Sequence, residues 1–191
     1  VDPADPMIVL FIVDNSYDYL AEGYSGVFLS TNGGDDWTRV LDVDPNYDSS
    51  MHRMYRHNIA ADVASVADGR AQRWYVAFPN VGLFRSDDAG NSFSSTPIAT
   101  LDGHATVYGV HTHPTDGQTV YVASSQGLLR STAQGDGLAA FGDLPSGHVS
   151  SLAIDPTNPQ TIYATILDGG LYRSTDGGAS FELLRDFGAA R

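Results

Sequence analysis

One pattern occurs four times in the chain: glycine, two apolar residues, arginine or leucine, then serine. It reads Gly26-Val27-Phe28-Leu29-Ser30, Gly82-Leu83-Phe84-Arg85-Ser86, Gly127-Leu128-Leu129-Arg130-Ser131 and Gly170-Leu171-Tyr172-Arg173-Ser174. The copies stand 56, 45 and 43 residues apart. A period of about 40–50 residues built from short strands marks a propeller or solenoid array. Upstream of each glycine lies an apolar run of strand length: Ile8–Val13, Arg73–Phe78, Thr119–Ser124 and Thr161–Ile166. In three copies a further strand precedes that run and ends near Asp62, His113 and Asp155. Four short strands per repeat predict an all-β chain of propeller blades.

Each serine opens a second motif. Ser174, Asp176, Gly178 and Phe181 fit S-x-D-x-G-x-[ST]-[FW], and so do Ser86, Asp88, Gly90 and Phe93. Ser30, Asn32, Gly34 and Trp37 keep the spacing with Asn in the Asp place. The copy from Ser131 keeps Gly135 but has Ala133 for Asp and Leu138 for the aromatic. The physics predicts a hairpin turn. The carboxylate accepts backbone N–H bonds across the turn, the glycine takes positive φ, and the aromatic opens the next strand.

On these residues the sequence resembles Asp-box (BNR-repeat) β-propellers, and the likeness covers nearly the whole chain. The resemblance implies propeller blades at about 1–41, 55–98, 104–145 and 148–185. It does not imply one activity, because fold does not fix function. Relatives by this motif include sialidases, xyloglucan-cleaving glycoside hydrolases, sortilin-type receptors and photosystem assembly factors. At roughly 45 residues per blade, the 191 residues hold about four blades. Val1-Asp2-Pro3 stands where an innermost strand should be finishing, so the expectation is a segment of a larger propeller, closed by further blades or a second chain.

Composition removes several function classes. There are 10 basic and 23 acidic residues, net −13, so nothing here could neutralise a nucleic-acid backbone. All the basic residues are Arg, and all the acids but Glu22 and Glu182 are Asp, a turn residue. There is no Cys, which excludes disulfides and thiolate metal sites. The longest apolar run, Met7 to Val13, is far short of the ~20 residues of a membrane helix. Together with the family resemblance, this composition suggests a bacterial periplasmic or extracellular location.

In an antiparallel blade the A–B and C–D turns share one end, and the B–C and D–A connections share the other. The serine motifs are C–D turns, so function is expected in unusual loops at the opposite end. Two insertions fall there. From mid-strand Leu10 to Gly26 is 16 residues, against six or seven in the other copies, and the excess includes Tyr17, Tyr19, Glu22 and Tyr24. The second runs from Leu41 to Asn58 and carries Tyr47, His52, Arg53, Tyr55 and His57. The tyrosines suit a stacking platform for sugar rings or a protein partner; the plainer reading has them anchoring the loop onto the blade.

Asp42, Asp44, Asn46 and Asp48 space oxygen ligands at every second residue, as a calcium loop begins. The match then fails, with Tyr47 in the glycine place and Arg53 in that of the bidentate Glu, and a solvated Asp turn is the plainer reading. No other cofactor is expected. His111 and His113 alternate on a strand, a spacing usable for a metal, yet His113-Pro114 replaces Asp155-Pro156 and reads as a turn cap. A glycosidase needs two acids about 5–10 Å apart, and nothing selects a pair among Asp14, Asp18, Glu22, Asp42, Asp44 and Asp48, so the catalytic residues stay unknown. Arg85, Arg130 and Arg173 hold equivalent strand positions and read as repeat structure rather than a sialidase arginine cluster. The expectation is a non-catalytic binding or assembly module for a protein or glycan. The alternatives are a piece of a glycoside hydrolase, xyloglucanase- or sialidase-like, and a structural spacer in a surface protein.

Overall fold

The computed structural model of the chain describes residues 1–13, 26–43, 58–78, 81–101 and 105–188. These residues form four antiparallel sheets in chain order and a separate two-stranded one. The first consists of β1 (Val9–Val13), β2 (Gly26–Ser30) and β3 (Thr38–Asp42). The second begins with β4 (Ile59–Ala61), detours through a small hairpin of β5 (Val66–Ala67) and β6 (Arg70–Ala71), and continues with β7 (Trp74–Phe78) and β8 (Gly82–Ser86). The third is β9 (Val107–Thr112), β10 (Val120–Ser124), β11 (Gly127–Ser131) and the two-residue β12 (Ala139–Ala140). The fourth is β13 (Val149–Ile154), β14 (Ile162–Ile166), β15 (Gly170–Ser174) and β16 (Glu182–Asp186).

The glycine-to-serine pattern is the third strand of every complete sheet. Its serine pairs with Val9, Trp74, Val120 or Ile162, so the four sheets share one register. That register points alternate residues to opposite faces, and in the second and third sheets both faces are apolar because each is packed between two neighbours. Three cores result, one between each pair of successive sheets. Leu10, Val27 and Leu29 meet Trp74, Val76 and Phe84; Tyr75, Ala77 and Leu83 meet Val120 and Val122; Tyr121, Ala123 and Leu128 meet Ile162 and Ala164. Each buried Val, Leu, Ile or Phe among them contributes about 1.5–3 kcal/mol by leaving water.

Two features differ from the regular four-strand expectation. The outer edge of the second sheet is one bridge, Leu83 to Ala99, rather than a strand. Pro97 stands beside it and has no N–H to lend to a ladder. The small hairpin was not expected, although its turn, Asp68-Gly69, is the strongest short-range hairpin pair; both residues have positive φ, 52° and 80°.

Candidate functional site

The serine motifs form closed hydrogen-bonded turns. In the second sheet the Ser86 hydroxyl accepts from Gly90 N at 2.9 Å and donates to Asp88 Oδ1 at 2.8 Å. Asp88 in turn accepts from Ser92 N at 2.9 Å and from its hydroxyl at 2.6 Å. The fourth sheet repeats this with Ser174, Asp176, Gly178 and Ser180. In the first, Ser30 bonds Gly34 N and Asn32, and Asn32 Oδ1 accepts from Asp36 N. The Ser131 turn keeps only the serine part: its hydroxyl accepts from Gly135 N and Ala133 N and donates to the Asp136 carbonyl. The glycines at 34, 90, 135 and 178 all have φ near +90°, as the turn requires. Phe93, Leu138 and Phe181 pack into the cores behind them. Trp37 stays half exposed, its indole N–H donating to the Gly34 carbonyl.

A second set of caps occupies the same end. Asp155 Oδ1 accepts from Thr157 N and Asn158 N. His113 Nδ1 accepts from Thr115 N and Asp116 N in the same pattern, which is the turn-cap role read from its place before Pro114. Asp62 accepts from Ala64 N. Asp2 does the same for Ala4 N and Asp5 N, and its other oxygen accepts from Ala71 N of β6 at 2.8 Å. Asp2 was not singled out by sequence reasoning; its Asp-Pro step, shared with Asp155-Pro156, was the available signal.

Arginines join the sheets. Arg73 donates to Asp87 at 2.6 Å and to the Gly117 carbonyl of the third sheet's turn, and approaches Asp62 at 3.5 Å. Arg85 donates to Asp87 at 2.7 Å and to the Gln134 carbonyl at 3.0 Å. Arg130 lies over the Phe141 ring, and Arg173 pairs with Glu182. Arg73 and Arg85 therefore tie the second sheet to the third, while Arg130 and Arg173 act within their own sheets and leave Glu182 engaged.

The turn carboxylates make folding acid-sensitive. Hydrogen bonds from Ser180, its hydroxyl first, hold Asp176 at about 2. Asp116 is lowered by the Thr119 hydroxyl and Asp155 by Thr157. At Asp88 and Asp87 burial pushes upward, but Ser92, and Arg73 with Arg85, outweigh it and leave both carboxyls lowered. A carboxylate more acidic when folded than unfolded stabilises above its ordinary range near 3.8 and stops doing so as pH falls through the folded value. Asp62 acts in the opposite sense, since burial raises it, and its protonation offsets part of the loss. The melting temperature should be flat from about pH 7 to 5 and fall between about pH 4 and 2. Asp88→Asn with Asp176→Asn should shallow that fall, because Asn32 already performs the role in the first turn; an unchanged acid slope would refute the assignment.

Tyr17, Tyr19, Glu22, Tyr24, Tyr47, His52, Arg53, Tyr55 and His57 lie outside the described residues, as do Asp14, Asp18, Asp44, Asn46 and Asp48. Asp42 is described and pairs with Arg39. Among the described residues no three His, Asp or Glu side chains are grouped to hold a metal ion. No helix there is long and apolar enough to cross a membrane. A shallow groove runs along the inner strands, lined by Ile59, Val63, Val110, His111, Pro114 and Ile154.

No protein-family model matches the chain. A xyloglucanase of Hypocrea jecorina (strain QM6a) is 29% identical over 161 residues, which are 83% of this chain and 17% of that enzyme. Among solved structures, the GH74 xyloglucanase from Xanthomonas campestris superposes over 97% of this chain and 29% of its own, with a TM-score of 0.66 at 21% identity. YCF48 from Cyanidioschyzon merolae superposes over 83% of this chain and 50% of its own, at a TM-score of 0.54 and 15% identity. The chain thus spans less than a third of the xyloglucanases it resembles. Shared register, three inter-sheet cores and these superpositions together identify the fold: an all-β chain of propeller type.

Proposed function

We propose that the chain is the propeller portion of a glycoside-hydrolase-like protein and that its loop end holds an extended β-glucan of the xyloglucan class. The likeness to a xyloglucanase across 161 residues carries this reading. It takes the Ser-x-Asp-x-Gly turns as Asp-boxes, a structural device at the end away from the glucan. Tyr17, Tyr19 and Tyr24 are then the sugar-stacking residues, and export to the cell exterior or periplasm belongs to the same reading. In affinity electrophoresis, xyloglucan should retard the protein, and a sialoside-bearing polymer should not. The Tyr17/Tyr19/Tyr24→Ala triple variant should lose about tenfold or more in affinity. Failure of every β-glucan to retard the protein would sink the proposal. A second reading, a non-catalytic assembly module for a peptide or protein, is supported by the superposition on a structure of YCF48 bound to D1 peptide, at a TM-score of 0.56. It predicts that the same triple variant loses a protein partner while glucans have no effect on either form.

A further inference from the structure

Two connections meet at the loop end of an antiparallel blade: the one leading into its first strand and the one between its second and third. In the third and fourth sheets one repeated backbone bond clasps them together. Ser125 N donates to the Thr106 carbonyl at 2.9 Å, and Leu167 N donates to the His148 carbonyl at 2.9 Å. Thr106 and His148 thus hold the same place, just before β9 and just before β13. What the repeat asks of that place is a carbonyl oxygen, which any residue supplies. The imidazole of His148 is surplus to this requirement.

The imidazole is nonetheless held. His148 Nδ1 lies 3.0 Å from the Tyr108 hydroxyl, and the two rings stand 6.1 Å apart with a tilt of 33°. Tyr108 comes from the inner strand of the third sheet, is 8% exposed and shares a core with Leu128, Val149 and Leu152. His148 itself is exposed. A buried side chain of one blade therefore fixes an exposed side chain of the next, between two four-stranded sheets. A phenol is the better donor of the two groups and an imidazole nitrogen the better acceptor. The Tyr108 hydroxyl accordingly donates to Nδ1, and the ring proton sits on Nε2. Holding an exposed side chain in one rotamer costs entropy, and a donor ordered in advance returns that cost when a ligand binds.

We propose that Tyr108 presents the His148 Nε2–H as a fixed hydrogen-bond donor to a hydroxyl oxygen of an uncharged β-glucan lying across the loop ends of the third and fourth blades. His148 is the contacting residue and Tyr108 the positioning residue. The net charge of −13 disfavours an anionic polysaccharide in the same place. This inference rests on the glucan reading and adds a polar contact to it.

Affinity electrophoresis with xyloglucan and nitrogen-detected NMR of the imidazole test it together. The His148 ring should carry its proton on Nε2, and Tyr108→Phe should shift the Nδ1 resonance. His148→Ala should lose about three- to tenfold in xyloglucan affinity, the effect of one hydrogen bond. His148→Phe keeps a ring against Tyr108 but no donor and should lose as much. His148→Gln, whose amide N–H can donate, should recover part of the loss, which a purely structural tether would not. Circular dichroism should report an unchanged fold for each variant. A proton on Nδ1, or His148→Ala and His148→Phe retarded as strongly as a retarded wild type, would overturn this inference and leave the glucan reading standing. A wild type that no β-glucan retards would overturn both.

Discussion

Gly82→Ala should cost on the order of 3 kcal/mol or more, from backbone strain added to overpacking. Gly82 has φ of +140°, where residues with a Cβ are strained, and a Cβ built there would lie 2.3 Å from the Ala99 carbonyl oxygen and 2.8 Å from Pro97 Cβ. Neither is the free end of a flexible chain. The Ala99 carbonyl accepts from Leu83 N at 2.9 Å, and Leu83 O accepts from Ile98 N at 2.7 Å. With Ser94 N donating to Arg85 O and Arg85 N to Ser94 Oγ, those two bonds hold the outer edge of the second sheet, so making room for a methyl breaks half of that edge as well. Gly127 occupies the same motif position with φ of +104°, yet nothing lies within 4 Å of its added Cβ. Gly127→Ala should therefore cost only backbone strain, about 1–2 kcal/mol. Urea denaturation of the two variants checks the contrast. Equal losses would mean that φ alone demands the glycine.

Asp2→Ala should cost roughly 2–4 kcal/mol, more than loss of a helix- or turn-type cap alone. Asp2 is buried at 4% exposure and accepts three backbone N–H groups, two local and one from Ala71, 69 residues away. Ala71 is fully buried, and its carbonyl takes the Trp74 indole N–H. Removing the carboxylate leaves the Ala71 N–H buried without an acceptor, and such a group costs about 1–3 kcal/mol by itself. It also releases the segment leading into β1 from the second sheet. Hydrogen exchange at the Ala71 amide should accelerate in the variant along with the first sheet. Asp155→Ala, whose carboxylate serves only its own turn, should leave exchange in the neighbouring sheet unchanged.

Much of this architecture is legible in the chain because its determinants are local. The turn from Ser86 to Ser92 closes through bonds spanning at most four residues. Four repetitions of such turns specify the third strand, and the second strand pairs with it through a short connection in three of the four copies. His113 was readable as a cap from its place before Pro114 and takes the same bonds as Asp155. The loop end is different. Tyr17 to Tyr24 and Tyr47 to His57 interrupt the repeat, so no other copy supplies a template for them, and they lie outside the described residues.

The sequence by itself determined the repeat, the strand and turn types and the shared register, because side-chain-to-backbone bonds over two to four residues do not depend on distant partners. Tertiary structure decided what each repeated residue meets. Gly82 faces a carbonyl and Gly127 faces open space, because the segments opposite them differ. Tyr121 reaches Gly177 while Tyr163 stands exposed, because a following sheet covers one and not the other. Asp2 holds Ala71 through a contact no local pattern could announce. Identical motifs thus acquire different energetic roles from neighbours dozens of residues away, whose proximity only the packed sheets create.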